Sequence, residues 1–127
     1  MKQIISSSKA PKVGGTYSQA VKAGNTVYLS GQIPLNPNTM EMVQGDFKQA
    51  ARQVFENLCA VAEAAGGSLA DIVKLNVYLT EMDNFSDFNN VMKEFCKEPY
   101  PARCMVAVKQ LPKGAVVEAD AIMVLGE

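Results

Sequence analysis

The 127-residue chain contains no histidine. Without an imidazole there is no Ser-His-Asp or Cys-His nucleophile pair, and a zinc site would have to be assembled from scattered Cys and carboxylate ligands. Chemistry must therefore come from Arg, Tyr, Glu, Asp, Asn, Lys, Cys or backbone groups. Cysteine is scarce: Cys59, Cys96 and Cys104 are odd in number and show no C-x-x-C spacing, so reduced thiols are expected rather than a disulfide framework or a zinc knuckle. An excess of one charge is also missing. Twelve basic residues against thirteen acidic ones give a net charge of -1, and no Lys/Arg block could neutralise a row of phosphates, which argues against nucleic acid as a partner. Apolar runs fall far short of a membrane span, and Met1-Lys2-Gln3-Ile4-Ile5 lacks the apolar core of a signal peptide, so a cytosolic (cytoplasmic) protein with no membrane partner is expected. The chain has no P-loop, G-x-G-x-x-G, G-x-S-x-G or metal-binding signature, which leaves no motif for a nucleotide, a cofactor or a metal.

What is present suits one globular domain over residues 1–127. With 48% hydrophobic and 20% charged residues, the chain can bury an adequate core without metals or disulfides. Gly24-Asn25 divides residues 21–30 into a hairpin. Residues 31–45, with two prolines, two asparagines and terminal glycines, read as a long working loop. Asp46 with Gln49 three residues on predicts a helix N-terminus, followed by Phe47, Ala50, Ala51, Val54, Phe55, Leu58, Ala62 and Ala65 at helical spacing and stopped by Gly66-Gly67. Residues 72–80 alternate as a half-buried strand, with Val73, Leu75, Val77 and Leu79 on the inner face and Lys74, Asn76 and Tyr78 on the other. Phe85, Phe88, Met92 and Phe95 mark a second helix that must end before Pro99. Residues 102–109 and 115–125 flank Leu111-Pro112-Lys113-Gly114 and read as a second hairpin. The order ββ, with a possible short strand before it, then α, β, α, ββ, indicates an α+β fold in which two helices cover one face of a mixed sheet. The chain has no third layer, so residues such as Tyr28 and Tyr78 on the second face predict burial against another subunit.

Four blocks in order then carry a resemblance: Y-S-Q-A at 17–20, S-G-Q-I-P at 30–34, P-A-R at 101–103 and L-P-K-G-A-V-V-E-A-D-A-I at 111–122. Through them the chain resembles the RidA/YjgF family over nearly its full length. The resemblance implies a homotrimer of chorismate-mutase-like α+β subunits with ligand sites in the clefts between them. It implies hydrolytic deamination of reactive 2-imino and 2-enamino acids, such as 2-iminobutanoate and 2-iminopropanoate, to 2-keto acids and ammonia, without a cofactor. A non-catalytic ligand-binding or chaperone-like trimer of the same fold is the alternative.

The resemblance also names residues. Arg103 matches the family's arginine, whose planar guanidinium can grip a substrate carboxylate through two parallel hydrogen bonds; on base rates alone an arbitrary strand arginine would simply be solvated. Glu118 matches the acidic residue that would position water and accept its proton. Periodicity alone makes Asp120, two residues on, equally eligible. Tyr17 matches the tyrosine whose hydroxyl can donate to substrate or relay a proton. Ser30 and Gly31 match the S-G-Q-I-P block, where a glycine allows close backbone approach or merely a tight strand end. Asn89 falls at the family's asparagine on the second helix, and Cys104 and Met105 are expected to contact ligand through their backbone. Two positions depart from the family pattern: Thr16 replaces a proline before Tyr17, and Asp120 replaces a glutamate. A hairpin turning at Pro112-Lys113 would set Glu118 opposite Ala107, four residues and roughly 13 Å from Arg103.

Overall fold

A computed structural model describes residues 1–126. The first helix, α1 (Phe47–Ala64), opens on the capping box that its sequence predicts: Asp46 accepts from the Gln49 N–H at 3.0 Å, and the Gln49 side chain accepts from the Asp46 N–H at 3.1 Å. Its apolar stripe buries Val54, Phe55, Leu58 and Val61 completely. The second helix, α2 (Phe85–Phe95), buries Phe88, Val91 and Met92. Phe55 joins the two helices, its ring centroid 5.4 Å from that of Phe88 and 5.2 Å from that of Phe95.

Both helices lie on one face of a six-stranded sheet. The strands are β1 (Lys2–Ile5), β2 (Ala20–Ala23), β3 (Thr26–Gln32), β4 (Ile72–Leu79), β5 (Ala102–Ala107) and β6 (Val117–Val124), in the spatial order β1-β2-β3-β6-β4-β5. Every neighbouring pair is antiparallel except β4–β5, which is parallel. The β2–β3 hairpin turns at Gly24, whose φ of 61° is the left-handed conformation that glycine adopts without strain.

Two expectations are corrected. There is no hairpin between β5 and β6, because β4 lies between them. Val117, Ala119, Ala121 and Met123 of β6 are all fully or almost fully buried, as befits a central strand paired on both sides beneath the helices, whereas β5 is an edge strand with exposed Ala102, Cys104, Val106 and Ala107. Alternating apolarity alone does not separate those two situations. In β4, Ile72 faces the core and Val73 is 47% exposed. The pairing with β6 slips by one residue between Ile72 and Lys74, so a bulge reverses the face of Val73.

The loop 33–45 is ordered from beneath. Asn57, 1% exposed on α1, donates through Nδ2 to the carbonyls of Ile33 at 3.2 Å and Leu35 at 3.0 Å. A buried amide in this position satisfies loop carbonyls that have no ladder partner. The opposite sheet face carries Tyr28, Tyr78, Val106 and Ile122, with Tyr28 51% exposed, and no element of the described chain covers it. No described helix is long and apolar enough to cross a membrane.

Candidate functional site

The segment before β2 is placed by one side chain. Gln19, buried, accepts from the Ser7 N–H at 2.6 Å and donates to the carbonyls of Ser7 at 3.1 Å and Pro11 at 2.9 Å, which ties the preceding chain to the sheet. This clamp anchors the chain between Tyr17 and the start of β2, so Thr16 in place of a proline does not leave the segment unanchored. Next to it, the pairing of β3 with β6 gains one residue on β3 between Leu29 and Gln32, a bulge at Ser30-Gly31. The bulge is stitched to the same segment: the Ser30 N–H donates to the Gln19 carbonyl at 2.9 Å, and Ser30 Oγ donates to the Ser18 carbonyl at 2.5 Å.

Across the bulge stands Glu118. A Cβ built on Gly31 would lie 3.0 Å from the Glu118 carboxyl carbon and would overlap one of its oxygens. The φ of Gly31 is outside the left-handed region, so the missing side chain is a matter of room for the carboxylate rather than of backbone strain. Glu118 is half-buried and makes no side-chain hydrogen bond among the described residues. Burial, and secondarily the negative charge of Asp120, holds its carboxyl above the ordinary glutamate value. Tyr17, Ser30, Gly31 and Glu118 thus line one cleft of about 550 Å³, together with Lys12, Gln19 and Lys113. Tyr17 is 55% exposed at its mouth.

Asp120 has a different environment. One of its oxygens accepts from Asn76 Nδ2 at 2.7 Å and the other from the Tyr78 hydroxyl at 2.8 Å. That hydrogen bond, followed by burial and the nearby charges of Asp120 and Glu118, pushes the Tyr78 phenol up to about 12. Alternation made Glu118 and Asp120 equivalent; the hydrogen bonds distinguish them, leaving only Glu118 open to a molecule in the cleft.

Arg103 and Asn89 lie elsewhere. Arg103 pairs with Leu75, which pairs with Ala121 on its other side, so its side chain rises on the helix-covered face while Glu118 lies on the opposite one. The two positions are two strands apart, about 10 Å, and three β4 residues apart, about another 10 Å. The gap of roughly 13 Å that a shared hairpin would leave is therefore not closed within one chain, and the two side chains stand on opposite faces of the sheet. Arg103 Nη1 donates to Asn89 Oδ1 at 2.6 Å and sits 3.6 Å from Met92 Sδ, and the guanidinium carbon stands 5.7 Å from the centroid of the Phe85 ring. Asn89 is thus the residue that holds Arg103 within its own chain. Arg103, Asn89 and Met92 line a second cleft of about 460 Å³, with Lys93, Tyr100 and Pro101. The other guanidinium N–H groups have no hydrogen-bond partner among the described residues, so an edge of the fork remains open to a carboxylate.

Cys104 and Met105 line neither cleft. Strand alternation points Cys104 to the uncovered face and packs Met105 against the core. Sequence reasoning missed Tyr100, Lys12, Gln19 and Lys113 as cleft residues; only Tyr100, set between two prolines just before Arg103, carries a local signal. No cluster of three or more potential metal-ligating side chains occurs among the described residues.

The sequence pattern of a family described as Endoribonuclease L-PSP matches residues 7–125. A protein of Dermatophagoides farinae named 2-iminobutanoate/2-iminopropanoate deaminase is 50% identical over 124 residues, covering 98% of this chain and 97% of its own. The crystal structure of RidA from an Antarctic Psychrobacter species superposes with a TM-score of 0.94 at 55% identity, covering 97% of this chain and 99% of the other. That of E. coli TdcF with bound serine does so with a TM-score of 0.92 at 40% identity, covering 98% and 99%.

Proposed function

The chain belongs to the RidA/YjgF family, and from that membership we propose that it hydrolyses 2-imino and 2-enamino acids, 2-iminobutanoate and 2-iminopropanoate among them, to 2-keto acids and ammonia. The observation that carries the reading is Glu118: an unpaired, half-buried carboxyl of raised proton affinity, lodged against Gly31 and facing a cleft with Tyr17. A general base works best when its proton affinity is near the operating pH, and burial moves Glu118 in that direction.

The proposed chemistry balances in two steps. Water bonds to the imine carbon as one of its protons passes to Glu118, and the C=N π pair becomes a lone pair on nitrogen, which is protonated. The carbinolamine then collapses: its hydroxyl proton passes by way of the Glu118 carboxylate to the amine nitrogen, C=O forms, and the C–N bonding pair leaves with that nitrogen as ammonia. The Tyr17 hydroxyl, at the cleft mouth, relays protons or donates to the substrate.

Arg103 supplies the carboxylate anchor, contributed by an adjacent copy because it lies on the opposite sheet face from Glu118. The uncovered sheet face with Tyr28 and Tyr78 supports assembly into a homotrimer with sites between subunits. The name of the mite relative and the amino acid bound to the E. coli relative agree with a small carboxylate ligand. Cleavage of RNA, which the family's description names, is the weaker reading for a chain with no histidine and a net charge of -1.

The test is a coupled assay with threonine dehydratase, following 2-ketobutyrate formation with and without the protein, with RNA degradation measured on the same preparation. Faster ketoacid release with intact RNA is expected. No acceleration would sink the assignment. Sedimentation should give a mass near three times 13.7 kDa, and a stable monomer would refute the shared site.

A further inference from the structure

The uncovered sheet face presents two carboxyls on β6, and they are built differently. The β4–β6 register sets Asn76 opposite Asp120 and Tyr78 opposite Glu118. Tyr78 nevertheless sends its hydroxyl past its direct neighbour to the diagonal Asp120 at 2.8 Å, while Asn76 donates to the other Asp120 oxygen at 2.7 Å. Both Asp120 oxygens are therefore engaged within the sheet. Glu118, the nearer of the two to Tyr78 by register, receives no donor and reaches instead across the Ser30-Gly31 bulge into the cleft. Diagonal pairs across a sheet are within reach of long aromatic side chains, so the choice of the diagonal partner is a matter of side-chain geometry rather than of register.

We infer that Asp120, clamped by Asn76 and Tyr78, is a positioning residue for Glu118: it is a fixed carboxylate held out of the cleft, so that of the two carboxyls on this face only Glu118 exchanges protons with a bound molecule. The inference rests on the deaminase reading for its catalytic consequence and on hydrogen bonds for its structural part. The charged and titratable groups around Glu118 are Asp120 on its own strand, Tyr78 on β4, Lys113 in the turn before β6, and Lys12 and Tyr17 across the cleft; β3 lines the cleft with Ser30, Gly31 and Gln32, none of them charged. Burial is the larger influence on the Glu118 carboxyl, and Asp120 is the charge that adds to it. Asp120 therefore does two things. It occupies the Tyr78 hydroxyl, which would otherwise donate to the Glu118 carboxylate and weaken it as a base, and it opposes the loss of the proton that Glu118 takes from water.

The experiment reads Glu118 directly, by carbon-13 NMR titration of its carboxyl in the whole protein, beside the pH dependence of kcat. In Asp120→Asn the Glu118 midpoint and the acid limb of kcat are both expected to shift to lower pH. Asp120→Glu restores the charge and is expected to return both towards the parent. A midpoint that does not move in folded Asp120→Asn overturns the inference, as does a midpoint that moves in Asp120→Asn and stays moved in Asp120→Glu. A moved midpoint with an unmoved kcat profile overturns the catalytic half. Should the parent show no deaminase activity at any pH, the functional reading fails, and the titration still decides whether Asp120 governs Glu118.

Discussion

Replacing Gly31 with alanine tests the site at the point where room is tightest. The new Cβ would stand 3.0 Å from the Glu118 carboxyl carbon and 3.3 Å from its Cγ, and it would overlap a carboxylate oxygen. Carbon atoms settle at about 3.5–4.0 Å, so the carboxyl must withdraw by roughly 1 Å. Glu118 has no hydrogen bond among the described residues to resist this, and φ at residue 31 suits alanine, so the folding cost is that of a displaced rotamer, about 0.5–1.5 kcal/mol. For a domain of this size that lowers Tm by only a few degrees, roughly 2–8 °C. Catalysis is far less forgiving, since a misplacement of about 1 Å can cost on the order of a hundredfold in rate. Gly31→Ala is therefore expected to melt nearly like the parent and to lose about two orders of magnitude in kcat, with KM little changed because Arg103 is untouched. The coupled deaminase assay and a thermal melt on one preparation decide it. Parental kcat in Gly31→Ala would refute the placement of Glu118 at the reacting centre, and a loss of stability beyond about 4 kcal/mol would show that Gly31 serves the backbone instead.

Arg103→Ala should lower kcat/KM by roughly 10- to 150-fold, the equivalent of one charge-assisted contact at about 1.5–3 kcal/mol, with the fold retained; Arg103→Lys should recover little, because an ammonium cannot form the two-pronged grip, and full activity in the lysine variant would rule that grip out. Asn57→Ala leaves the buried Leu35 carbonyl without its donor, while the Ile33 carbonyl keeps the Leu35 N–H, and should cost about 1–3 kcal/mol in denaturant unfolding, whereas a change below about 0.5 kcal/mol would mean that the loop does not depend on this clamp. Tyr78 should form phenolate only around pH 12, read as the difference in absorbance at alkaline pH between the parent and Tyr78→Phe. Because the folded-state value lies above the unfolded one, the stabilisation linked to Tyr78 is complete below about pH 10 and fades as pH rises through about 12; phenolate already formed near pH 10 would argue against the Asp120 hydrogen bond.

Helices were the most legible part of the fold, because capping and 3.6-residue periodicity are local: Asp46 with Gln49 and the Phe55, Phe88 and Phe95 stripes lie as read. Of the strand partners only the β2–β3 hairpin was legible, through its local Gly24-Asn25 turn; the other pairings are non-local, and the valine-rich segments around Leu111-Pro112 look alike whether they pair with each other or with β3 and β4. The two alanines of β6, small residues beneath a helix on a central strand, were the available signal. The bulge at Val73 escaped because period-2 patterning assumes an uninterrupted ladder. Within the site, the resemblance supplied the names Arg103, Glu118 and Tyr17, and only the folded chain separates them into two clefts. The distinction between Glu118 and Asp120 depends on where the Tyr78 hydroxyl points, which no periodicity encodes.

The position of β6 also bears on how the molecule comes to be folded. Strands β1 to β3 form one antiparallel ribbon and β4 with β5 another, and the two ribbons touch in the sheet only through β6. The earlier segments can settle into hairpin and crossover while the chain grows, but the sheet closes only when residues 117–124 slide between them, a contact of long sequence separation that must meet its loop-closure entropy late. Glu118 travels on that strand. The cleft that faces it therefore requires β6 in place beside β3, and it arises with the pairing that also joins the two ribbons.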